Sequence, residues 1–237
     1  MNVEPKKRVF ITGCTRGIGQ AIAQHFQDLG AIVIGTGTSP SSPSWVDQYE
    51  PFDFSEITSL KECCTFINEV KPDILINNAG INRNNPFLEI PVDLFSTIQQ
   101  VNLLAPMLLS QAAVPYMRQA NWGRIVNISS IWGIISKEYR ASYSASKFAL
   151  DGLTVAISAE YARFGILANC VSPGFTDTEL TSSMLQPREL SKILEGVPIG
   201  RMAKPFEIAK LVGWLASEEN TYVTGQNIAI DGGFTRA

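Results

Sequence analysis

Short apolar runs alternate along the chain with longer segments whose apolar residues recur every three or four positions. Residues 8–11 and 31–34 are apolar and largely β-branched, and Ile18, Ile22 and Phe26 recur at helical spacing between them. The short runs predict buried parallel strands, and the spacing predicts an amphipathic helix. The chain is therefore predicted to begin with a strand, a helix and a second strand.

The same alternation continues to the end of the chain. Two prolines and several serines in residues 37–48 predict a loop with at most one short turn. Pro106 and Pro115 are expected to disturb one long helix, and residues 175–203 are expected to be variable and helical in part. The remaining strands are predicted at residues 49–52, 74–76, 124–130, 167–171 and 226–230, and helices at 58–70, 92–119, 141–164 and 205–217. Parallel strands need helical crossovers, so the pattern predicts one parallel sheet with helices on both faces.

The composition is typical of a single folded domain that covers residues 1–237. Hydrophobic residues make up 45% of the chain and charged residues 17%, which is ample for a buried core. The formal net charge of −3 argues against nucleic acid as a partner. His25 is the only histidine, so a metal site built from several histidines is excluded, and a serine-nucleophile triad would have to use this one residue. No metal is expected.

The cysteines and the N-terminus indicate a cytoplasmic protein. Cys14, Cys63, Cys64 and Cys170 lack the CxxC spacing of a zinc site, and two of them are adjacent, so free thiols in a reducing compartment are expected. The polar N-terminal residues lack the apolar segment of a signal peptide. The chain has no apolar stretch of about 18 residues, so neither a transmembrane helix nor a membrane partner is expected.

A glycine-rich loop follows the first predicted strand and opens the first predicted helix. Gly13 permits a tight turn, and Gly17 and Gly19 permit a pyrophosphate to approach the backbone and the helix N-terminus. The amide groups and the positive dipole end of that helix favour an anionic ligand. The loop therefore predicts dinucleotide binding, although the same glycines would also suit a turn that binds nothing.

Tyr143 and Lys147 lie four residues apart on a predicted helix and so share one face. A free tyrosine has a pKa near ~10, which is too high for an efficient base at neutral pH. A nearby ammonium favours the phenolate, so Lys147 is expected to lower the pKa of Tyr143 and to make it a usable proton donor or acceptor.

Taken together, these motifs resemble those of the short-chain dehydrogenase/reductase family over nearly the whole chain. The matching segments are TGxxxGIG at residues 12–19, NNAG at 77–80, Ser130 with YxxxK at 143–147, PGxxxT at 173–178 and the DGG tail at 231–233. The resemblance implies a Rossmann-type, doubly wound α/β sheet of about seven strands. It also implies a reaction in which a ketone is reduced to a secondary alcohol, or the reverse.

The resemblance assigns four catalytic residues. Tyr143 protonates the developing alkoxide, Lys147 holds the hydroxyl groups of the nicotinamide ribose, and Ser130 hydrogen-bonds the substrate carbonyl. Asn102 matches the asparagine that supports a water of the proton relay in this family. Ser129 is adjacent to Ser130, but its spacing to Tyr143 fits the family pattern less well.

The expected cofactor is NADP(H), with NAD(H) as the alternative. No acidic residue follows the second predicted strand, where an acid would bind the ribose 2′-hydroxyl of NAD. Arg16 can instead meet a 2′-phosphate with help from Thr38, and the resemblance places Asp53 and Phe54 at the adenine. Arg16 would otherwise be a solvated loop charge. The expected cofactor-binding residues are Gly13, Thr15, Arg16, Gly17, Ile18, Gly19, Thr38, Asp53, Phe54, Asn78, Ala79, Gly80, Tyr143, Lys147, Pro173, Gly174, Phe175 and Thr178.

Within the family, the chain resembles bacterial 3-oxoacyl-(acyl-carrier-protein) reductases most. It departs from them at Asn121 and Phe164, where those reductases carry basic residues that dock the carrier protein, and Arg118 and Arg163 lie close by in sequence. The alternatives are a reductase or dehydrogenase of a sugar or secondary-metabolite pathway and an inactive NADP-binding regulator. The expected partners are a small carbonyl or alcohol substrate and an acyl carrier protein, in a homotetramer. The expected substrate residues are Ser130, Ile131, Trp132, Arg140, Tyr143, Met184 and Leu185.

Overall fold

Seven parallel strands form one sheet in the computed structural model, which describes residues 6–179 and 193–237. The strands are β1 (Arg8–Thr12), β2 (Ile32–Gly37), β3 (Gln48–Pro51), β4 (Ile74–Asn77), β5 (Gly123–Ile128), β6 (Ile166–Pro173) and β7 (Asn227–Ile230). Their order across the sheet is β3-β2-β1-β4-β5-β6-β7. The predicted parallel sheet is therefore confirmed, with all the expected strands present.

Helices cover both faces of this sheet. They are α1 (Gly17–Asp28), α2 (Ile57–Val70), α3 (Val92–Gln99), α4 (Ala105–Ala120), α5 (Ala141–Tyr161) and α6 (Pro205–Leu215). Phe26 of α1 and Val212 of α6 are buried in the core of one face, and Leu60 of α2 and Leu109 of α4 in the core of the other. Each amphipathic helix thus buries the apolar face that the sequence pattern predicts.

The helix predicted over residues 92–119 is interrupted. A π-helical turn, Gln100–Leu104, separates α3 from α4. Pro106 explains the break, because it has no N–H to donate to the carbonyl of Asn102 four residues earlier. Pro115 lies inside α4 without ending it. The irregularity expected at Pro106 is therefore found in the π-helical turn before it, which carries Asn102. The irregularity expected at Pro115 does not interrupt the helix.

The order of the strands reverses beside β1, which pairs with β2 on one side and with β4 on the other. Ligands of doubly wound sheets bind at such a point, beyond the carboxyl ends of the strands. Within the described residues, no helix is long and apolar enough to cross a membrane, and no group of three acidic, histidine or cysteine side chains could hold a metal ion.

Candidate active site

A cleft of about 760 Å³ opens at the carboxyl ends of the central strands. Loops that follow β1, β2, β4, β5 and β6 form its walls, as the topology requires. The structure brings every sequence-predicted cofactor residue to the wall of this one cleft. Met184 and Leu185, which were expected at the substrate, lie outside the described residues.

The glycine-rich loop is too tightly packed for side chains at two of its positions. Gly13 has a φ of 65°, and a Cβ there would lie 3.0 Å from the Cα of Ala79. A Cβ on Gly19 would lie 2.5 Å from the amide nitrogen of Asn78 and would overlap the carbonyl oxygen of Gly13. Only glycine fits at these positions, so the backbone amides at the start of α1 are left open toward the cleft.

Thr12 joins the glycine-rich loop to the segment that follows β4. Its hydroxyl oxygen accepts hydrogen bonds from the backbone N–H groups of Asn78 and Ala79, both at 2.9 Å. In return, the side-chain amide of Asn78 donates to the carbonyls of Thr12 and Gly13 at 3.0 and 2.9 Å. These four bonds hold two walls of the cleft in one fixed arrangement.

The end of the cleft beside the glycine-rich loop is lined by Arg16, Thr36 and Asp53. The hydroxyl of Thr36, at the end of β2, is buried and has no hydrogen-bond partner. The Asp53 carboxylate accepts two hydrogen bonds from Ser55, which fixes the loop beside the buried Phe54. Arg16 is exposed, and its guanidinium lies 3.8 Å from the Glu179 carboxylate. A cation and an orphan hydroxyl thus face the part of the cleft where an acid would favour NAD.

Ser130 and Tyr143 meet at the middle of the cleft. Ser130 follows β5 and caps the short helical turn Ile131–Gly133 by accepting a hydrogen bond from the backbone N–H of Trp132 at 3.2 Å. Its hydroxyl acts to lower the pKa of Tyr143, which lies in the first turn of α5, and both residues line the cleft. Two hydroxyl groups can therefore reach the same oxygen of a bound molecule.

The protonation of Tyr143 differs from the sequence expectation. Burial raises the pKa of Tyr143, while the Ser130 hydroxyl and the charge of Arg140 act in the opposite direction. Lys147 was expected to lower this pKa, but its ammonium lies 5.6 Å from the centre of the Tyr143 ring and donates instead to the carbonyl of Ile128 at 2.8 Å. Tyr143 is thus a neutral phenol at pH 7 and is set up to donate a proton.

Lys147 lines the cleft and is almost entirely buried, and its ammonium lies toward the end of β5. Burial lowers the pKa of Lys147 to about 8, and Cys170 weakly opposes this shift. A lysine with that pKa is still mostly protonated at pH 7, so it can donate hydrogen bonds to a ligand hydroxyl.

Asn102 lies outside the cleft wall and is fully buried in the π-helical turn. Its side-chain oxygen accepts from the Ile81 N–H at 2.9 Å, and its amide donates to the Ile81 carbonyl and to the Ser146 hydroxyl. The Ser146 hydroxyl in turn donates to the carbonyl of Tyr143 at 2.7 Å. The side chain of Asn102 therefore positions the segment after β4 against α5.

The substrate end of the cleft has more charged groups than the sequence indicated. Trp132 and Arg140 line it as expected, but Ile131 is fully buried and does not, because the turn capped by Ser130 directs it into the core. The loops after β4 and before α5 contribute residues that the sequence analysis did not include. Both loops lie beyond the carboxyl ends of strands, where ligands of such sheets bind, so this rule could have identified them. The missed residues are Asn82, Arg83 and Lys137.

Comparisons with known proteins show which proteins this chain is similar to. A family model described as Enoyl-(Acyl carrier protein) reductase matches residues 13–235. The 3-oxoacyl-[acyl-carrier-protein] reductases FabG of Pseudomonas aeruginosa and Vibrio cholerae are 36% and 35% identical, over 96% and 98% of both chains.

Solved structures give the same picture of the fold. A 4-hydroxyisoleucine dehydrogenase complexed with NADH superimposes with a TM-score of 0.92 and 31% identity, covering 98% of this chain and all of that one. A chain from Beutenbergia cavernae, assigned as an NAD(P)-dependent gluconate 5-dehydrogenase with bound NADP, gives a TM-score of 0.91 at 30% identity and covers 98% and 97%.

The Thr12 contacts lead to a test of stability. Thr12→Val preserves the shape of the side chain but leaves two buried N–H groups without an acceptor, so we expect the free energy of unfolding to fall by about 2 kcal/mol. Thr12→Ser keeps the oxygen and is expected to lose no more than about 1 kcal/mol. Urea unfolding of both variants measures the difference. Equal losses would show that the hydroxyl does not hold the two segments together.

Proposed function

Because the chain belongs to the short-chain dehydrogenase/reductase family, we propose that it is an NADP(H)-dependent oxidoreductase that reduces a ketone to a secondary alcohol. The observation that carries this proposal is the meeting of Ser130, the neutral Tyr143 and the buried Lys147 in the cleft that also holds the glycine-rich loop.

The protein's own groups supply the proton and the orientation. The Ser130 and Tyr143 hydroxyls hydrogen-bond the carbonyl oxygen of the substrate, which polarises the carbonyl carbon. A bound reduced nicotinamide would supply the hydride for that carbon. Tyr143 is placed to donate its proton to the developing alkoxide. Tyr143 carries this proton at neutral pH. The Lys147 ammonium holds ribose hydroxyls, and Asn102 keeps the neighbouring segment in place.

The cleft fits a phosphorylated dinucleotide. Gly13, Gly17 and Gly19 line the cleft at the start of α1, where their backbone can approach a pyrophosphate, and Thr36 lines the part of the cleft at the end of β2. Arg16 and Thr38 favour a 2′-phosphate, since no carboxylate follows β2 to bind a free hydroxyl there. We therefore assign NADP(H) as the preferred cofactor and NAD(H) as the weaker one.

The first candidate substrate is a 3-oxoacyl thioester. This assignment rests on the similarity to the 3-oxoacyl-(acyl-carrier-protein) reductases FabG. Phe164 replaces an expected basic docking residue, but the guanidinium groups of Arg118 and Arg163 lie 4.5 and 5.9 Å from the centre of its ring. These two cations offer an acyl carrier protein an alternative contact, in a role within fatty acid biosynthesis.

The second candidate substrate is a small hydroxylated or charged carbonyl compound. Three cations, Arg83, Lys137 and Arg140, line the substrate end of the cleft, where a plain acyl chain would need apolar walls. The similarity to structures assigned as gluconate and 4-hydroxyisoleucine dehydrogenases agrees with such a compound. An inactive NADP-binding regulator is the third candidate, which the presence of both Tyr143 and Lys147 disfavours.

Cys63 and Cys64 remain separate thiols like the other two cysteines, which suits a reducing cytoplasm.

The first test is NADPH oxidation with acetoacetyl-CoA by the wild type and by Tyr143→Phe. We expect the variant to lose at least about 100-fold in kcat, because it lacks the proton donor. Its Kd for NADPH should stay close to the wild-type value. Tyr222→Phe, at a tyrosine that is 95% exposed, is the matched control and should keep full activity.

The outcomes separate the candidates. Turnover that survives in Tyr143→Phe would overturn the assignment of the general acid. If the wild type binds NADPH but does not reduce acetoacetyl-CoA, the second candidate, a small hydroxylated or charged carbonyl compound, is favoured. Binding of NADPH without turnover of any carbonyl compound would favour the regulator.

The cofactor preference is tested at Arg16. Arg16→Ala is expected to raise the KM for NADPH by about 10-fold or more while changing the KM for NADH little, because only NADPH carries the 2′-phosphate. Glu179→Gln removes the carboxylate that competes for Arg16 and should lower the KM for NADPH by up to about 5-fold. Steady-state kinetics with both nucleotides measures this, and equal effects on the two would refute the assignment.

The assembly is tested by sedimentation velocity. Val92, Phe148 and Val155 are 81%, 46% and 48% exposed on α3 and α5, which is a large apolar surface for a monomer to leave in water. We therefore propose a homotetramer with two-fold interfaces. The wild type should sediment as a tetramer at micromolar concentration, and Val155→Asp should shift it to smaller species. A wild type that sediments as a monomer would contradict the proposal.

A further inference from the structure

Positive charge is concentrated at the substrate end of the cleft. Lys137 and Arg140 line it beside the Trp132 ring, and Arg83 lines the same cleft. Among the described lining residues, the carboxylates belong to Asp53 and Glu179, and both are at the cofactor end, where one is held by Ser55 and the other faces Arg16. The cations at the substrate end therefore have no counter-charge from the described wall.

Arg140 is the cation that most needs a partner. Its Nε is buried and has no hydrogen-bond partner, and no carboxylate of the described residues forms an ion pair with it. Its guanidinium lies 5.6 Å from the centre of the Trp132 ring, so the aromatic face supports it from one side only. Arginine stays charged at any physiological pH, so a buried N–H of this group is costly until an acceptor arrives.

A second unpartnered polar atom lies in the same region. The side-chain oxygen of Asn82 is buried and accepts no hydrogen bond. The loop of Asn82 contacts the loop of Arg140 through a hydrogen bond from the Asn85 N–H to the Tyr139 carbonyl at 3.4 Å. Tyr139 has a φ of 65°, a left-handed conformation that non-glycine residues rarely adopt and that clusters at ligand sites. The two loops, which both line the cleft, thus hold one buried donor and one buried acceptor without hydrogen-bond partners.

The position of Arg140 shows which molecule carries its acceptor. Arg140 lies three residues before Tyr143, and its charge lowers the pKa of that tyrosine, so it is within electrostatic reach of the reacting carbonyl. The pyrophosphate and the 2′-phosphate of a dinucleotide belong at the glycine-rich loop and at Arg16. Since no carboxylate of the described wall pairs with Arg140, an anion that meets it there would be part of the substrate.

We propose that Arg140 binds a carboxylate that lies close to the reacting carbonyl of the substrate, and that Asn82 accepts a hydrogen bond from a hydroxyl or ammonium group of the same molecule. The planar guanidinium matches a carboxylate through two parallel hydrogen bonds. Arg83 and Lys137 are exposed near the mouth and attract the anion toward the cleft. This inference rests on the proposed reductase function and narrows its substrate to a small hydroxylated or aminated oxo acid.

The test compares oxo acids with their own neutral esters. Pyruvate, acetoacetate and levulinate are each paired with the methyl ester, and both NADPH-dependent reduction and calorimetric binding to the NADP⁺-loaded enzyme are measured. We expect at least one acid to exceed its ester by roughly 10- to 100-fold in kcat/KM or in affinity. Arg140→Gln should bring this ratio close to one, and Arg140→Lys, which keeps the charge without the planar fork, should give an intermediate ratio.

The ratio isolates the carboxylate contact, because any effect of Arg140 on the acidity of Tyr143 acts equally on acid and ester. Lys61→Gln removes a positive charge on the exposed surface of α2 and is the charge-matched control, expected to leave the ratio unchanged. An unaltered Kd for NADPH shows that Arg140→Gln is folded and that its cofactor site is intact.

The remaining outcomes distinguish this inference from the proposed function. Esters that bind and react as well as their acids, or an acid preference that survives in Arg140→Gln, would overturn the inference and leave the reductase standing. Carboxylate binding that depends on Arg140 in an enzyme without turnover would support the inference and count against the reductase. Arg140→Gln could also lower kcat/KM with acetoacetyl-CoA but not with the N-acetylcysteamine thioester, which lacks the phosphates. That result would show that Arg140 binds a phosphate and would overturn the proposal that it binds a carboxylate.

Discussion

The hydrogen bonds between Thr12 and the Asn78–Ala79 backbone are the constraint on which the rest of the site depends. They fix the ends of β1 and β4 together at the point where the strand order reverses. With these ends fixed, Gly13 packs against Ala79, and Gly19 packs against Gly13 and Asn78 so closely that no side chain fits between them. The open amides of α1 and the segment that leads to Asn102 both take their positions from this contact.

Burial shapes the chemistry at the centre of the cleft. It raises the pKa of Tyr143 and lowers the pKa of Lys147, because the low-polarity surroundings disfavour the charged form of each group. Both side chains nevertheless carry their protons at pH 7, and both can donate. The centre of the cleft is therefore a set of donors, as the proposed protonation of an alkoxide requires.

The sequence predicted the cofactor end of the cleft better than the substrate end. The glycine-rich loop, NNAG and YxxxK are local patterns whose function depends on backbone geometry after a strand or at the start of a helix, so spacing alone locates them. The pKa of Tyr143 is raised rather than lowered, and Ile131 is buried rather than exposed to the cleft. Both outcomes depend on what surrounds these side chains in three dimensions. The π-helical turn at Gln100–Leu104 likewise follows from a hydrogen bond that Pro106 cannot make, which periodicity does not reveal.

Arg16 and Arg140 show that position, rather than composition, decides how this chain uses positive charge. The chain is acidic overall, with a net charge of −3, yet cations line both ends of its cleft. Arg16 is exposed and has a carboxylate within reach, so it can exchange that weak pair for a phosphate at little cost. Arg140 is half-buried and its Nε–H has no acceptor, so an anion that bound the guanidinium would supply the missing hydrogen bond. The first arrangement suits a cofactor that must leave after each turnover, and the second suits discrimination between substrates that differ in charge.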